Sequence, residues 1–281
     1  MNKIAIIIDS TCGLPEKYLQ QYPIKVARLK VIYKNAQYID GIDITPSKVY
    51  AALNEELPTT SMPTVEDLNT IYEELIRDGY THVIGLPISS GLSGTINSFR
   101  IASEAYKKQI TSYIFDFKHL SMAIGLSVIE IAQMIASGSS FESICTTLSV
   151  LQSHTHMFFT VDTLEYLIKG GRIGKVSGRI GEFLNIKPII TMDDDGSYMT
   201  YSKVRGSKQA FKSLSSLATS SLDQGPCKIA IMTGTMIKEA EALKQELITH
   251  PNAKDIYVGE ITPVVGIHSG PQLLAVAILN L

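Results

Sequence analysis

Up to about residue 153 the chain alternates short, almost wholly apolar runs with longer stretches whose apolar residues recur every three or four positions. The run 3–8 (KIAIII) has no polar alternation, which predicts a strand buried on both faces, as in a parallel sheet. Asp9, Ser10 and Thr11 follow at its carboxyl end, and Pro15 opens a short helix. Residues 24–33 read as one strand, 34–44 as a turn with a short return, and 46–54 as a helix. The stretch 59–63 (TTSMP) reads as a loop. Thr64, with Asp67 three residues on, predicts a capping box for a helix reaching about residue 78. A second buried strand, 82–88, runs into SSGLSGT at 89–95 and a helix to about 108. A strand at 111–115 ends on Asp116, and two helices follow near 121–137 and 140–153.

The pattern changes near residue 155. A strand at 156–161 leads to Asp162 and Glu165, spaced to cap a short helix, which GGRIG at 170–174 breaks. Strands at 186–192 and 197–204 flank DDDGS, a hairpin turn. A helix (207–222), strand (228–233), helix (236–249) and strand (255–262) complete the series. From 261 to the end there is no Asp, Glu, Lys or Arg. Pro263, His268, Ser269, Gly270, Pro271 and Gln272 interrupt the stretch, so a continuous membrane helix is not expected, and HSGPQ reads as a loop. The expected fold is α/β in two domains. Residues 1–155 form an open, mostly parallel sheet with flanking helices, and 156–281 a mixed α/β sheet domain. Ligands of such sheets bind outside the carboxyl ends of the strands.

Composition narrows the function classes. With 281 residues, 45% of them apolar, the chain can bury a large core and is not disordered. A net charge of -2 gives no field that would attract nucleic acid or an acidic membrane. Three cysteines without a CxxC suit a reducing compartment rather than a zinc site or disulfide framework. The apolar run at the start is too short for a signal peptide. A cytoplasmic protein is expected, with no metal and no cofactor.

The candidate chemistry points to binding more than to catalysis. SSGLSGT joins a strand to a helix, offers the hydroxyls of Ser89, Ser90, Ser93 and Thr95, and has Gly91 and Gly94 for close backbone approach. With the free N–H groups of the following helix it suits an anion, either phosphate or carboxylate. Asp9 lacks a second Asp two residues on and reads as a backbone-bonding loop residue. The stretch 91–95 nearly forms a serine-hydrolase elbow, but Thr95 stands where the last Gly belongs. A Ser93–His268 pair is the enzymatic alternative. GGRIGKVSG at 170–178 fails the spacing of a nucleotide-binding phosphate loop and reads as a turn presenting Arg172 and Lys175. DDDGS lacks the alternating acids of a calcium loop. His154 and His156 would point to opposite sides of a strand, which is poor metal geometry.

These pieces, in this order, resemble the DegV family of bacterial fatty-acid-binding proteins. The resemblance rests on Asp9-Ser10-Thr11, Thr60-Ser61-Met62-Pro63, Ser90-Gly91-Leu92-Ser93-Gly94-Thr95, Gly171-Arg172-Ile173, Val204-Arg205 and His268-x-Gly270-Pro271. It implies a two-domain α/β protein holding one long-chain, palmitate-like fatty acid, with the carboxylate between the domains and the tail buried. It assigns the carboxylate to Thr60, Ser93 and His268, supported by Ser61, Gly94 and Thr95. It also implies a non-catalytic subunit that presents the carboxylate to a separate fatty acid kinase chain for phosphorylation, engaged by Arg172 and Arg205. Two residues depart from the family pattern. Met62 stands where Gln is usual and Gln272 where Gly is usual, and both are expected to reshape the pocket mouth.

The energetics fit a lipid. Burying a tail of about 14 methylenes gains about 11 kcal/mol before the costs of association, whereas each charge-assisted bond to the head adds only about 1.5–3 kcal/mol. The tail supplies most of the affinity, and the head site sets orientation.

Overall fold

The all-apolar runs become central strands, because a strand flanked on both faces by helices has no solvent side to leave polar. The computed structural model describes residues 2–176 and 185–281. Ser177 and Gly178, the end of the GGRIGKVSG stretch, lie outside the described residues. In chain order the strands of the first half are β1 (Ile4–Asp9), β2 (Ile24–Ala27), β3 (Lys30–Tyr33), β4 (Ala36–Ile39), β5 (Thr59–Ser61), β6 (His82–Leu86) and β7 (Thr111–Ile114). Its helices are α1 (Glu16–Gln21), α2 (Pro46–Ala52), α3 (Val65–Arg77), α4 (Thr95–Tyr106), α5 (Met122–Ala136) and α6 (Phe141–Ser153). There follow β8 (Thr155–Val161), α7 (Glu165–Lys169), β9 (Ile186–Met192), β10 (Tyr198–Arg205), α8 (Ser207–Gln224), β11 (Cys227–Thr233), α9 (Ile237–Leu247), β12 (Ala253–Glu260), α10 (Pro263–Ser269) and β13 (Leu273–Asn280).

The expected α/β class holds. A four-stranded parallel sheet runs β2-β1-β6-β7, a six-stranded mixed sheet runs β10-β9-β8-β13-β11-β12, and a small antiparallel sheet runs β4-β3-β5. Helix α5 lies between the two large sheets. Its Met122, Ile124, Leu126 and Val128 share one core cluster with Ile4, Ile6 and Ile8 of β1, Ile84 and Leu86 of β6, and Met157, Phe159, Ala275 and Ala277 of β8 and β13. A helix with apolar residues all round is one that packs on more than one side. The outer face of the parallel sheet is covered by α3 and α4, through Leu68, Tyr72, Leu75 and Phe99, and that of the mixed sheet by α8 and α9. The capping box at Thr64 and Asp67 is present in both directions.

Four expectations need correction. Residues 24–33 are two strands in different sheets. The chain turns at Arg28 and Leu29, where the Ser10 hydroxyl accepts the Leu29 N–H at 3.1 Å and Arg28 Nη1 donates to the Asp40 carbonyl at 2.9 Å. The TTSMP loop contains β5, since Thr59, Thr60 and Ser61 complete the ladder of β3. The Asp162–Glu165 capping box does not form: Asp162 accepts from Lys187, and the Thr163 hydroxyl takes the Glu165 N–H at 3.1 Å. Residues 263–280 are a helix and a central strand, with β13 paired to both β8 and β11, so His268 sits on a helix and not in a loop.

Candidate functional site

Two buried carboxylates anchor the loops that build the site. Asp9 Oδ1 accepts the Thr11 N–H at 2.9 Å and its hydroxyl at 2.5 Å, while Oδ2 accepts the Ile88 N–H at 2.5 Å. Asp9 therefore staples the end of β1 to the start of SSGLSGT, the backbone-bonding role expected of it. Burial pushes its carboxyl up to about 6. Asp40 Oδ1 accepts the Val264 N–H at 3.0 Å and fixes the first turn of α10.

Within the loop, Ser89 is fully buried and donates to the Gly196 carbonyl at 2.7 Å. The hairpin turn at 193–197 thereby rests on the loop. Gly91 is required at that contact, since a Cβ there would lie 2.5 Å from the Gly196 carbonyl atoms. Lys175 ties the same turn from the other side through Asp193 at 2.7 Å and Asp195 at 3.0 Å, so it is an ion-pair residue and not a free cation. Helix α4 starts at Thr95, with Gly94 as its N-cap and no side-chain cap. The Ser93 hydroxyl lies 2.8 Å from that of Thr95 and accepts the Thr95 N–H at 3.3 Å.

Thr60 is held by its place in β5, opposite Val31. Pro263 opens α10, and its last turn carries His268, whose Nε2 is 3.0 Å from Thr60 Oγ1. A Cβ on Gly170 would overlap His268 Nδ1, so only glycine fits beside the ring. Arg172 is half-buried, with Nη1 on the Gly170 carbonyl at 2.5 Å and Nε on the Leu92 carbonyl at 3.4 Å. Burial, and then the guanidinium of Arg172, lower the His268 pKa to about 4, so the ring is neutral at neutral pH.

Thr60, Ser93, Arg172 and His268 line one cavity, otherwise walled mainly by apolar side chains such as Leu29, Leu92 and Leu167. Leu120, Tyr198 and Val265 belong both to its wall and to that of a second cavity. The second cavity is lined by Met122, Met157, Phe159, Met232, Ala275 and Ala277, with Ser121 and the shared Tyr198 its hydroxyl-bearing residues among those described. The alternation of β13 sends Leu273, Ala275 and Ala277 to this side and Leu274, Val276 and Ile278 to the other core. The small methyl groups of Ala275 and Ala277 leave the space between β13 and α5.

Of the expected head-group residues, the structure joins Thr60 to His268 and brings Ser93 to the same cavity. Thr95 is buried beneath Ser93, and Ser61 and Gly94 flank the site in β5 and at the N-cap of α4. Met62 lies exposed beside Gly94, its Sδ 3.5 Å from the position a Cβ on that glycine would take. Arg172 lines the cavity, whereas Arg205 is exposed at the end of β10. Gln272 does not touch the mouth. It lies on the opposite face of the mixed sheet, in a separate pocket with Thr160 and Lys187. The residues of β8 and β13 on the second cavity carried one sequence signal, the alternation of small Ala275 and Ala277 with large residues; nothing in sequence says which core that face meets.

Among the described residues Ser93 bonds Thr95 and His268 bonds Thr60, with no hydrogen bond between Ser93 and His268 and no partner on His268 Nδ1.

The neutral ring has a measurable consequence. Between about pH 6.5 and 4 the unfolded chain protonates at His268 while the native chain does not, so this group lowers stability as pH falls through that window. Asp9 acts in the opposite sense, because its raised native pKa of about 6 favours the folded state as pH falls from 6 towards 3.8. A His268→Gln variant, freed of lipid, is expected to lose Tm less steeply than the parent between pH 6.5 and 4. Equal slopes would show that the ring is not held neutral.

The comparisons with known proteins cover the whole chain. The family model described as "Uncharacterised protein, DegV family COG1307" matches residues 3–281. A DegV domain-containing protein of Clostridium acetobutylicum is 43% identical over 280 residues, covering 100% of each chain, and one of Clostridium perfringens is 42% identical over 278 residues, covering 99% of each. Among solved structures, a fatty-acid-binding DegV family protein from Thermus thermophilus superposes with a TM-score of 0.93 at 28% identity, covering 99% of this chain and 100% of that one. DegV of Bacillus subtilis, a fatty-acid-binding protein, gives 0.91 at 29% identity with 100% of both chains covered. A stearic-acid-binding protein from Eubacterium ventriosum gives 0.85 at 26% identity, covering 100% of this chain and 98% of that one.

Proposed function

The chain belongs to the DegV family, and from that premise we propose that it binds one long-chain fatty acid and presents the carboxylate to a separate fatty acid kinase chain. The observation that carries this reading is a donor-lined cavity adjoining an apolar one, the two sharing the walls Leu120, Tyr198 and Val265. The acyl tail runs into the apolar part, and the head group lies at Thr60 and Ser93. In the Nε2–H tautomer, His268 donates to Thr60 Oγ1. The Thr60 proton then points away from the ring, towards an anion, and Nδ1 keeps a bare lone pair. The charge of Arg172 supports a head-group role for it, beside the docking role the resemblance implies. The same reading divides the protein at about residue 155, with the ligand between domains 1–155 and 156–281. It places the protein in the cytoplasm, as a non-catalytic subunit whose partner transfers the phosphate. No helix among the described residues is long and apolar enough to cross a membrane.

Mass spectrometry of an organic extract of the purified protein tests the reading. A co-purifying long-chain fatty acid is expected, and protein that comes empty and also refuses added palmitate would overturn it. Thr60→Val and Ser93→Ala are each expected to weaken palmitate about tenfold, the worth of one charge-assisted bond, with no loss of Tm beyond a few degrees. Full affinity in both would remove the head group from this end of the cavity. Arg205→Ala is expected to keep lipid binding and lose kinase-dependent acyl phosphate formation. Loss of lipid binding instead would assign Arg205 to the fold.

A further inference from the structure

On the far side of the mixed sheet from the cavity of Thr60 and Ser93 there is a separate pocket. Cross-strand register brings Thr160 of β8, and Asp162 just past its end, onto the same face as Leu274 and Gln272. Above them sits the N-terminus of α8, an 18-residue helix whose N-cap is Gly206, with no side-chain cap. Among the described residues no acceptor meets the N–H of Ser207 or Lys208, the first two of that helix. Lys187 enters the pocket from β9 with its side chain 14% exposed and donates to the Asp162 carbonyl at 2.7 Å and to its Oδ1 at 2.5 Å. The decisive observation is Thr160. It is 7% exposed, lines this pocket, and its Oγ1 has no hydrogen-bond partner among the described residues. A buried hydroxyl without a partner is costly, and native proteins rarely keep one unless something fills the place.

The residues lining the pocket are mostly donors: Lys187, already paired with Asp162, Ser207 at the positive end of a helix, Thr160 and Gln272. Asp162 is the acceptor among them, and it suits the one O–H of a monoprotonated oxyanion. Phe211 and Met236 wall the pocket with apolar surface. Nothing in the acyl-binding reading uses any of these residues, and the two cavities share no lining residue.

We propose that this pocket is a second ligand site that binds a phosphate group, free or as the monoester of a small apolar molecule. A helix N-terminus with a lysine is a standing phosphate cradle. The unsatisfied Thr160 hydroxyl supplies the missing donor, and the wall of Phe211 and Met236 favours an ester over the bare ion.

Isothermal titration of the full-length, lipid-loaded protein with inorganic phosphate and with phenyl phosphate, against chloride at matched ionic strength, tests the site. Saturable binding of both is expected, with phenyl phosphate the tighter if an ester is the ligand and the two equal if the free ion is. Thr160→Val keeps the volume and removes only the hydroxyl, and is expected to weaken phosphate about tenfold. Lys187→Met is expected to weaken it by at least as much. Neither is expected to alter the extracted fatty acid. A Thr160→Val protein that is more thermostable than the parent in phosphate-free buffer but loses the thermal shift on adding phosphate is the combined signature. No saturable binding above the chloride control, or equal binding by parent and Thr160→Val, would overturn the proposal and leave Thr160 as an orphaned core hydroxyl.

Discussion

Ala275→Phe is expected to lower palmitate affinity about a thousandfold. Ala275 faces the apolar cavity from β13, beside Met157 and Phe159 of β8 and across from Met122 of α5. A phenyl ring projecting there takes the room of about five methylenes. At about 0.8 kcal/mol for each buried CH₂, the loss is about 4 kcal/mol, or about three orders of magnitude in Kd. The folded protein is expected to survive the substitution, since overpacking a core typically costs about 1–3 kcal/mol. Displacement of a fluorescent fatty acid by acids of increasing length checks the result. A short acid, whose tail stops before Ala275, should bind parent and variant alike, and the gap should open only with longer chains. Unchanged palmitate affinity in a folded Ala275→Phe protein would remove the tail from this cavity.

Arg172→Met carries the second-largest expected effect, a ten- to hundredfold loss of fatty acid affinity. Among the described residues Arg172 is the one side chain of fixed charge on the wall of the cavity of Thr60 and Ser93, and its influence already reaches His268 there. Removing it leaves a carboxylate with neutral donors alone, at a cost of about 1.5–3 kcal/mol. Methionine preserves the bulk packed between the Gly170 and Leu92 carbonyls. The discriminating readout is selectivity for head-group charge. The parent should prefer a fatty acid over the fatty alcohol of equal length, and Arg172→Met should lose that preference. If the variant binds acid as tightly as the parent and fails only in acyl phosphate formation, Arg172 serves partner docking and not the head group.

The two cavities differ in how far the chain announces them. SSGLSGT reads as an anion-binding loop because strand, small residues and helix start are consecutive. TTSMP gave no hint that it forms β5, since three residues are too few to show a period, and its strand character comes from the neighbouring β3. Arg172 was legible as a basic residue on a turn, but its direction into the cavity depends on the Leu92 carbonyl, 80 positions away. Gln272 marked a departure from the family pattern, but strand alternation sends it to the opposite face from the acyl cavity, which no motif comparison could reveal.

The sequence by itself determined the local elements that period and punctuation encode: the doubly buried strands β1 and β6, the capping box at Thr64, the hairpin at 193–197, and the hydroxyl-rich turn before α4. Tertiary structure alone decided that residues 60, 93, 172 and 268 share one wall, that the C-terminal apolar run is the central strand β13, and that its alanines face a void and not a filled core. The physical reason is that hydrophobic periodicity records whether a side chain is buried, which is a property of its own segment. Which surface buries it is set by pairing and packing between segments far apart in the chain, and the site is built from those pairings.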